Sequence, residues 1–115
     1  MALGETDQFV WDYSEHSDIL NIHKKSIATA GSAELGDFTV DFDAAGNIVG
    51  VEIMNATEFL KEAEITLEQL AELNGAGLLI KQGRGGEVTY IWLKLTFSRS
   101  VERRIPLPAP VLVKV

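Results

Sequence analysis

The stretch Asp37-Phe38-Thr39-Val40-Asp41-Phe42-Asp43-Ala44-Ala45-Gly46-Asn47-Ile48-Val49-Gly50-Val51-Glu52-Ile53-Met54 decides the fold. Phe38, Val40 and Phe42 alternate with Asp37, Thr39, Asp41 and Asp43, a period of two that marks a strand buried on one side and acidic on the other. Asp43 to Asn47 is a tight turn, with Gly46 suited to a positive φ and the Asp43 carboxylate able to cap it. A second strand spans Ile48 to Met54, with Val49, Val51 and Ile53 on one face and Ile48, Gly50, Glu52 and Met54 on the other. The unit is therefore a β-hairpin with one wet face.

Outward from it, the same period recurs. Phe9, Trp11 and Tyr13 form one aromatic face of a strand, and Leu20 and Ile22 one face of another, with the polar Ser14 to Ser17 turning between them. Ala28 to Ser32 reads as a small-residue loop. Together these segments predict an antiparallel meander of four strands. After Met54 the period changes to that of helices. Asn55 with Glu58 predicts a capping box that opens a short helix burying Phe59 and Leu60. Thr66 with Gln69 predicts a second box, with Ile65 and Leu70 placed as a hydrophobic staple. Leu67, Leu70, Ala71 and Leu73 make its apolar stripe, and Asn74-Gly75 its stop. Strands resume at Leu78 to Lys81, turn through Gly83-Arg84-Gly85-Gly86, and continue as a long strand from Val88 to Phe97. That strand is apolar on both sides, Tyr90 and Trp92 against Ile91, Leu93, Leu95 and Phe97, which predicts a central position covered twice. Val101 to Leu107 forms a hairpin with it, and Val111, Val113 and Val115 alternate beyond the prolines.

The expected class is α+β: an antiparallel meander, one or two short helices and a C-terminal antiparallel hairpin. The 115 residues fit one domain, residues 9–60 forming the meander and first helix and 61–115 the second helix and last strands. Cysteine is absent, which removes disulfides, thiolate metal sites and a thiol nucleophile. No apolar run reaches the ~20 residues of a membrane span, and the start lacks the basic-then-apolar form of a secretory signal. A cytoplasmic protein is expected. The net charge of −7 is divided unevenly: residues 1–75 carry 15 acids and three lysines, residues 76–115 seven bases and two acids. Nucleic acid is disfavoured by most of this surface, whereas opposite halves favour contact between copies.

Asp12-Tyr13, then Asp18-Ile19-Leu20-Asn21-Ile22, then Asp41 to Ile53, then Asn55-Ala56-Thr57 resemble a family of unknown function, the one numbered 2283. The likeness runs from Trp11 to Leu60; Asn21 departs from it, standing where an aromatic residue is common. Residues 61–115 resemble the C-terminal extension of longer, archaeal-type members. The resemblance implies a small β-rich domain with no established activity and no catalytic residues to carry over. It also implies a binding role, since some short members look like companions of small toxin-like proteins.

Four patterns suggest chemistry, each with a plainer explanation. Asp41, Asp43, Gly46, Ile48 and Glu52 fall on positions of a calcium-binding loop, but Ala45 removes a ligand and strands flank the loop where helices are needed. His16 and His23, with Asp12 and Asp18 near in sequence, offer metal ligands or acid–base groups for a small metal-dependent hydrolase, although no nucleophile is placed by the sequence. The glycine-rich turn at 83–86 lacks the lysine and hydroxyl residue of a phosphate loop. Arg103 and Arg104, with Arg84 and Arg99, form either a basic strip for nucleic acid, a solvated edge strand, or a partner for the acidic half of a second copy. No cofactor is expected. The leading expectation is a non-catalytic, self-associating or protein-binding module, a homodimer that buries some of Tyr90, Trp92, Arg103, Arg104, Val111, Val113 and Val115.

Overall fold

The structure is a computed structural model that describes residues 2–5, 8–82, 88–98, 101–107 and 111–112. Twelve elements succeed one another among them: β1 (Ala2–Glu5), β2 (Phe9–Ser14), β3 (Ile19–Lys24), β4 (Gly31–Leu35), β5 (Phe38–Phe42), β6 (Ile48–Met54), α1 (Ala56–Glu62), α2 (Leu67–Ala71), β7 (Leu73–Gln82), β8 (Val88–Phe97), β9 (Val101–Pro106) and β10 (Val111–Leu112). The first six strands form an antiparallel sheet in the order β1-β2-β3-β6-β5-β4. In the second sheet β8 is central, with β7 along one edge and β9 and β10 along the other. The fold is α+β, with two short helices between the sheets in sequence.

One hydrophobic cluster joins the two sheets. The period of two delivers Trp11, Tyr13, Leu20, Ile22, Val40, Val51 and Ile53 from the first sheet and Ile91, Leu93, Leu95, Phe97 and Ile105 from the second. Leu60, Ile65 and Leu70 enter it from the helical segment. The Thr66 box is formed as the sequence predicts: the Gln69 N–H donates to Thr66 Oγ1 at 3.2 Å and the Thr66 N–H to Gln69 Oε1 at 2.8 Å. Both staple residues, Ile65 and Leu70, are buried. None of the helices among the described residues is long and apolar enough to cross a membrane.

Several local expectations are corrected. The strands do not keep chain order in the first sheet, because β6 lies between β3 and β5. Gly31 and Ser32 belong to an edge strand rather than to a loop, and β4 turns into β5 through Gly36-Asp37, with Gly36 at φ 66°. The face of Ile48 is reversed. The β5–β6 register pairs Asp41 with Gly50 but Phe42 with Ile48, so Val49 is an extra residue and Ile48 swings into the core. Asn55 caps nothing with its side chain: it sits at φ 53° and its amide donates to Asp37 at 3.3 Å. Leu67 and Ala71 are exposed, because α2 ends after five residues and only one side of it meets the core. Asn74-Gly75 does not stop that helix; the helix ends at Ala71, and Asn74 is a bulge inside β7. The glycine turn at 83–86 lies outside the described residues.

Candidate binding face

Because β8 is central, its alternation separates two chemistries. Ile91, Leu93, Leu95 and Phe97 point into the core at 0–4 % exposure, while Tyr90 and Trp92 remain 48 % and 36 % exposed on the opposite side. Cross-strand register completes that outer face. Trp92 stands between Leu79 of β7 and Pro106 of β9, and Lys81 is opposite Tyr90. Lys94 is opposite Arg104, and Thr96 opposite Glu102. The Glu102 carboxylate lies 2.9 Å from Arg104 Nε and 3.6 Å from Lys94 Nζ, and these cations, Arg104 foremost, hold its carboxyl below the usual range. The result is an aromatic centre ringed by three cations and one acid.

Beside this face the two sheets meet at a groove of about 380 Å3 lined by Phe9, Gly77, Leu79, Lys94 and Thr96 among others. The Phe9 ring rests on Gly77 so closely that a Cβ there would lie 2.9 Å from the ring. This contact fixes β7 against the first sheet and hence the orientation of the face.

The expected interface residues divide between two sides of the second sheet. Tyr90, Trp92 and Arg104 share the outer face. Arg103 alternates to the other side, where its Nη2 donates to the Ala63 carbonyl at 2.6 Å, at the end of α1. Arg103 and Arg104 therefore do not form one strip, and Arg84 and Arg99 lie outside the described residues. Val111 pairs with Thr89 through its backbone; Val113 and Val115 are not among the described residues.

The two histidines do not converge. His16 is exposed in the β2–β3 turn and His23 is near the far end of β3, about 15 Å along the strand. The His23 ring lies across Gly50, with Nδ1 2.7 Å from the Lys24 carbonyl and Nε2 2.9 Å from Thr29 Oγ1, so both nitrogens are engaged. No group of three His, Asp or Glu side chains among the described residues could hold a metal ion. In the calcium-like segment, Asp43 is turned onto its own loop, accepting from the Ala45 and Asn47 N–H groups at 2.9 and 2.8 Å. Asp41 accepts from Ser32 Oγ at 2.6 Å, on the surface of the sheet.

One half-buried polar cluster is not legible in the sequence. Asp18, at φ 55° in the β2–β3 turn, accepts from Tyr13 Oη (2.7 Å), the Thr57 N–H (3.0 Å) and Thr57 Oγ1 (2.6 Å). Its own carbonyl takes the Ala56 N–H at 3.0 Å. A residue of the first hairpin thus caps α1, the task expected of Asn55. Burial raises the Asp18 carboxyl, but the bonds from Thr57 and Tyr13 outweigh it and hold the group below its usual range; burial and Asp18 together push the Tyr13 phenol up. Both carboxylate oxygens of Asp18 accept from structural partners, so the cluster clasps the β2–β3 turn to the start of α1.

Residues 11–56 match a family described as a protein of unknown function, DUF2283. An archaeal relative, the uncharacterized protein MJ0789 of Methanocaldococcus jannaschii, is 31 % identical over 71 residues, which is 61 % of this chain and 61 % of that protein. The match therefore spans less than two thirds of the relative's length. No solved structure matches the chain. Tyr13 and Asp18 of the clasp lie within the matched residues 11–56, and Thr57 lies one residue beyond them.

Proposed function

We propose that this chain, whose residues 11–56 match the family DUF2283, is a non-catalytic binding module that self-associates through the outer face of its second sheet. The observation that carries the reading is the exposure of Tyr90 and Trp92 side by side on a central strand. Aromatic rings so placed are the usual anchors of protein contacts, where their removal from water supplies most of the binding energy. At roughly 25 cal/mol per Å2, covering the remaining exposed parts of both rings contributes about 4 kcal/mol. That only matches the lower end of the cost of association, about 4–15 kcal/mol, so the flanking Leu79, Pro106 and charged rim must take part.

The two tryptophans make the test direct. Trp11 is buried and its indole N–H has no hydrogen-bond partner among the described residues, so Trp11→Phe removes a signal without breaking a hydrogen bond; the smaller ring leaves a cavity, and a melting curve checks that the variant is folded. In that variant Trp92 alone reports. Its emission should shift to the blue as concentration rises from nanomolar to high micromolar, and an unchanging spectrum would count against the reading.

A further inference from the structure

We infer that the occupant of the Trp92 face is the outer face of the first sheet of a second copy, docked head to tail. This rests on the self-association reading above and adds which surfaces meet. The outward positions of β2 to β6 contain Asp12, Glu34, Asp41 and Glu52 and no lysine or arginine. Register sets Asp12, Asn21, Glu52, Thr39 and Glu34 in one row across five strands, so carboxylates stand on every second strand. Exposed apolar side chains lie in neighbouring rows: Val10 at 38 % and Met54 at 39 % exposure. This face is therefore acidic with apolar points, whereas the Trp92 face is apolar at its centre with Lys81, Lys94 and Arg104 against Glu102.

Charge decides between the two ways a second copy could cover the Trp92 face. A two-fold dimer would set that face against itself and oppose two surfaces of the same net positive sign, three cations and one acid on each. Docking it on the acidic sheet sets cations against carboxylates at the same distance and still covers Trp92 and Tyr90. The overall charge of −7 opposes any association at long range, but that repulsion is screened beyond about 8 Å at physiological salt, while apposed faces lie closer than that. Head-to-tail contacts leave one face free at each end, so growth proceeds past the dimer or closes into a ring.

Mixing two variants of the full chain tests this. Asp12→Lys/Glu52→Lys disables the acidic face, and Trp92→Glu/Lys94→Glu disables the aromatic one. The wild type should form species larger than a dimer in sedimentation velocity. Each variant alone should sediment as a monomer, and the equimolar mixture should give a species of twice the monomer mass and no more. If the first variant alone dimerises, the aromatic face pairs with itself: the inference is overturned and self-association through that face stands. If the second variant alone associates like the wild type, or the wild type is monomeric throughout, both are overturned. Melting curves check that the variants fold, and the milder pair Glu52→Gln and Trp92→Ala, which should each weaken association several-fold, replaces any variant that does not.

Discussion

Replacing Asp18 with Ala should be among the most damaging polar substitutions in the chain. It leaves the Tyr13 hydroxyl, on a ring only 2 % exposed, without its acceptor, at a cost of about 1–3 kcal/mol. It removes the side-chain cap from the Thr57 N–H, about 1 kcal/mol. It also puts alanine at φ 55°, where Asp is tolerated better, about 1 kcal/mol more. These effects share atoms and the site is partly solvated, so they do not sum fully; about 3 kcal/mol is expected, or roughly 12 °C in the melting midpoint of a domain this size. Tyr13→Phe removes donor and hydroxyl together and should cost about 1 kcal/mol. Urea unfolding monitored by tryptophan fluorescence measures both. An Asp18→Ala variant within about 0.5 kcal/mol of wild type, the range of ordinary surface changes, would show that Asp18 does not clasp the helix start. The pH dependence has a fixed sign. A carboxyl depressed in the folded state contributes stability that is present above its unfolded value, about 3.9, and is lost as pH falls through the lower folded one. Asp18→Asn should therefore flatten the acid limb of the stability curve relative to wild type.

Other substitutions probe the scaffold around the face. Thr66→Ala should cost about 1 kcal/mol by opening the capping box, read as a fall in urea midpoint at unchanged slope. Gly50→Ala should destabilise because its Cβ would lie 2.6 Å from a His23 ring held at both nitrogens; adding His23→Ala should recover part of the loss, and full additivity in this double-mutant cycle would contradict the contact. Calcium titration monitored by NMR should give no saturable shift below millimolar concentration, since Asp43 already accepts from the Ala45 and Asn47 N–H groups and from the Asn47 amide at 3.2 Å.

The parts of the fold readable in the sequence are those where one local pattern dominates. Alternation over Phe9 to Tyr13 and Phe38 to Phe42 states which side is buried, and the Thr66-Gln69 spacing needs only the four residues it names; Val88 to Phe97 reads as covered on both sides, yet Tyr90 and Trp92 stay exposed. The misreadings arise where the deciding partner is remote or the register changes. Asn55 looks like a cap, but Asp18, 39 positions from Thr57, reaches the helix first. A bulge leaves no mark in composition, so Val49 and Asn74 each displace the pairing of their strand by one residue. Strand β4 is exposed or half-buried along its whole length and shows no hydrophobic period; its one signal is the Gly36-Asp37 turn into β5. The proposed binding face is legible in Tyr90 and Trp92, aromatic residues on the side of β8 opposite Ile91, Leu93, Leu95 and Phe97. The grouping of Arg103 with Arg104 fails because neighbours in a strand point opposite ways.

Sedimentation velocity of the wild type and Trp92→Glu over a wide concentration range separates association through Trp92 from a monomer. Trp92 is exposed, so the substitution should leave the melting midpoint within a few degrees of wild type. The wild-type sedimentation coefficient should rise with concentration while that of Trp92→Glu stays at the monomer value. A wild type that remains monomeric throughout, or a variant that associates equally well, would contradict it.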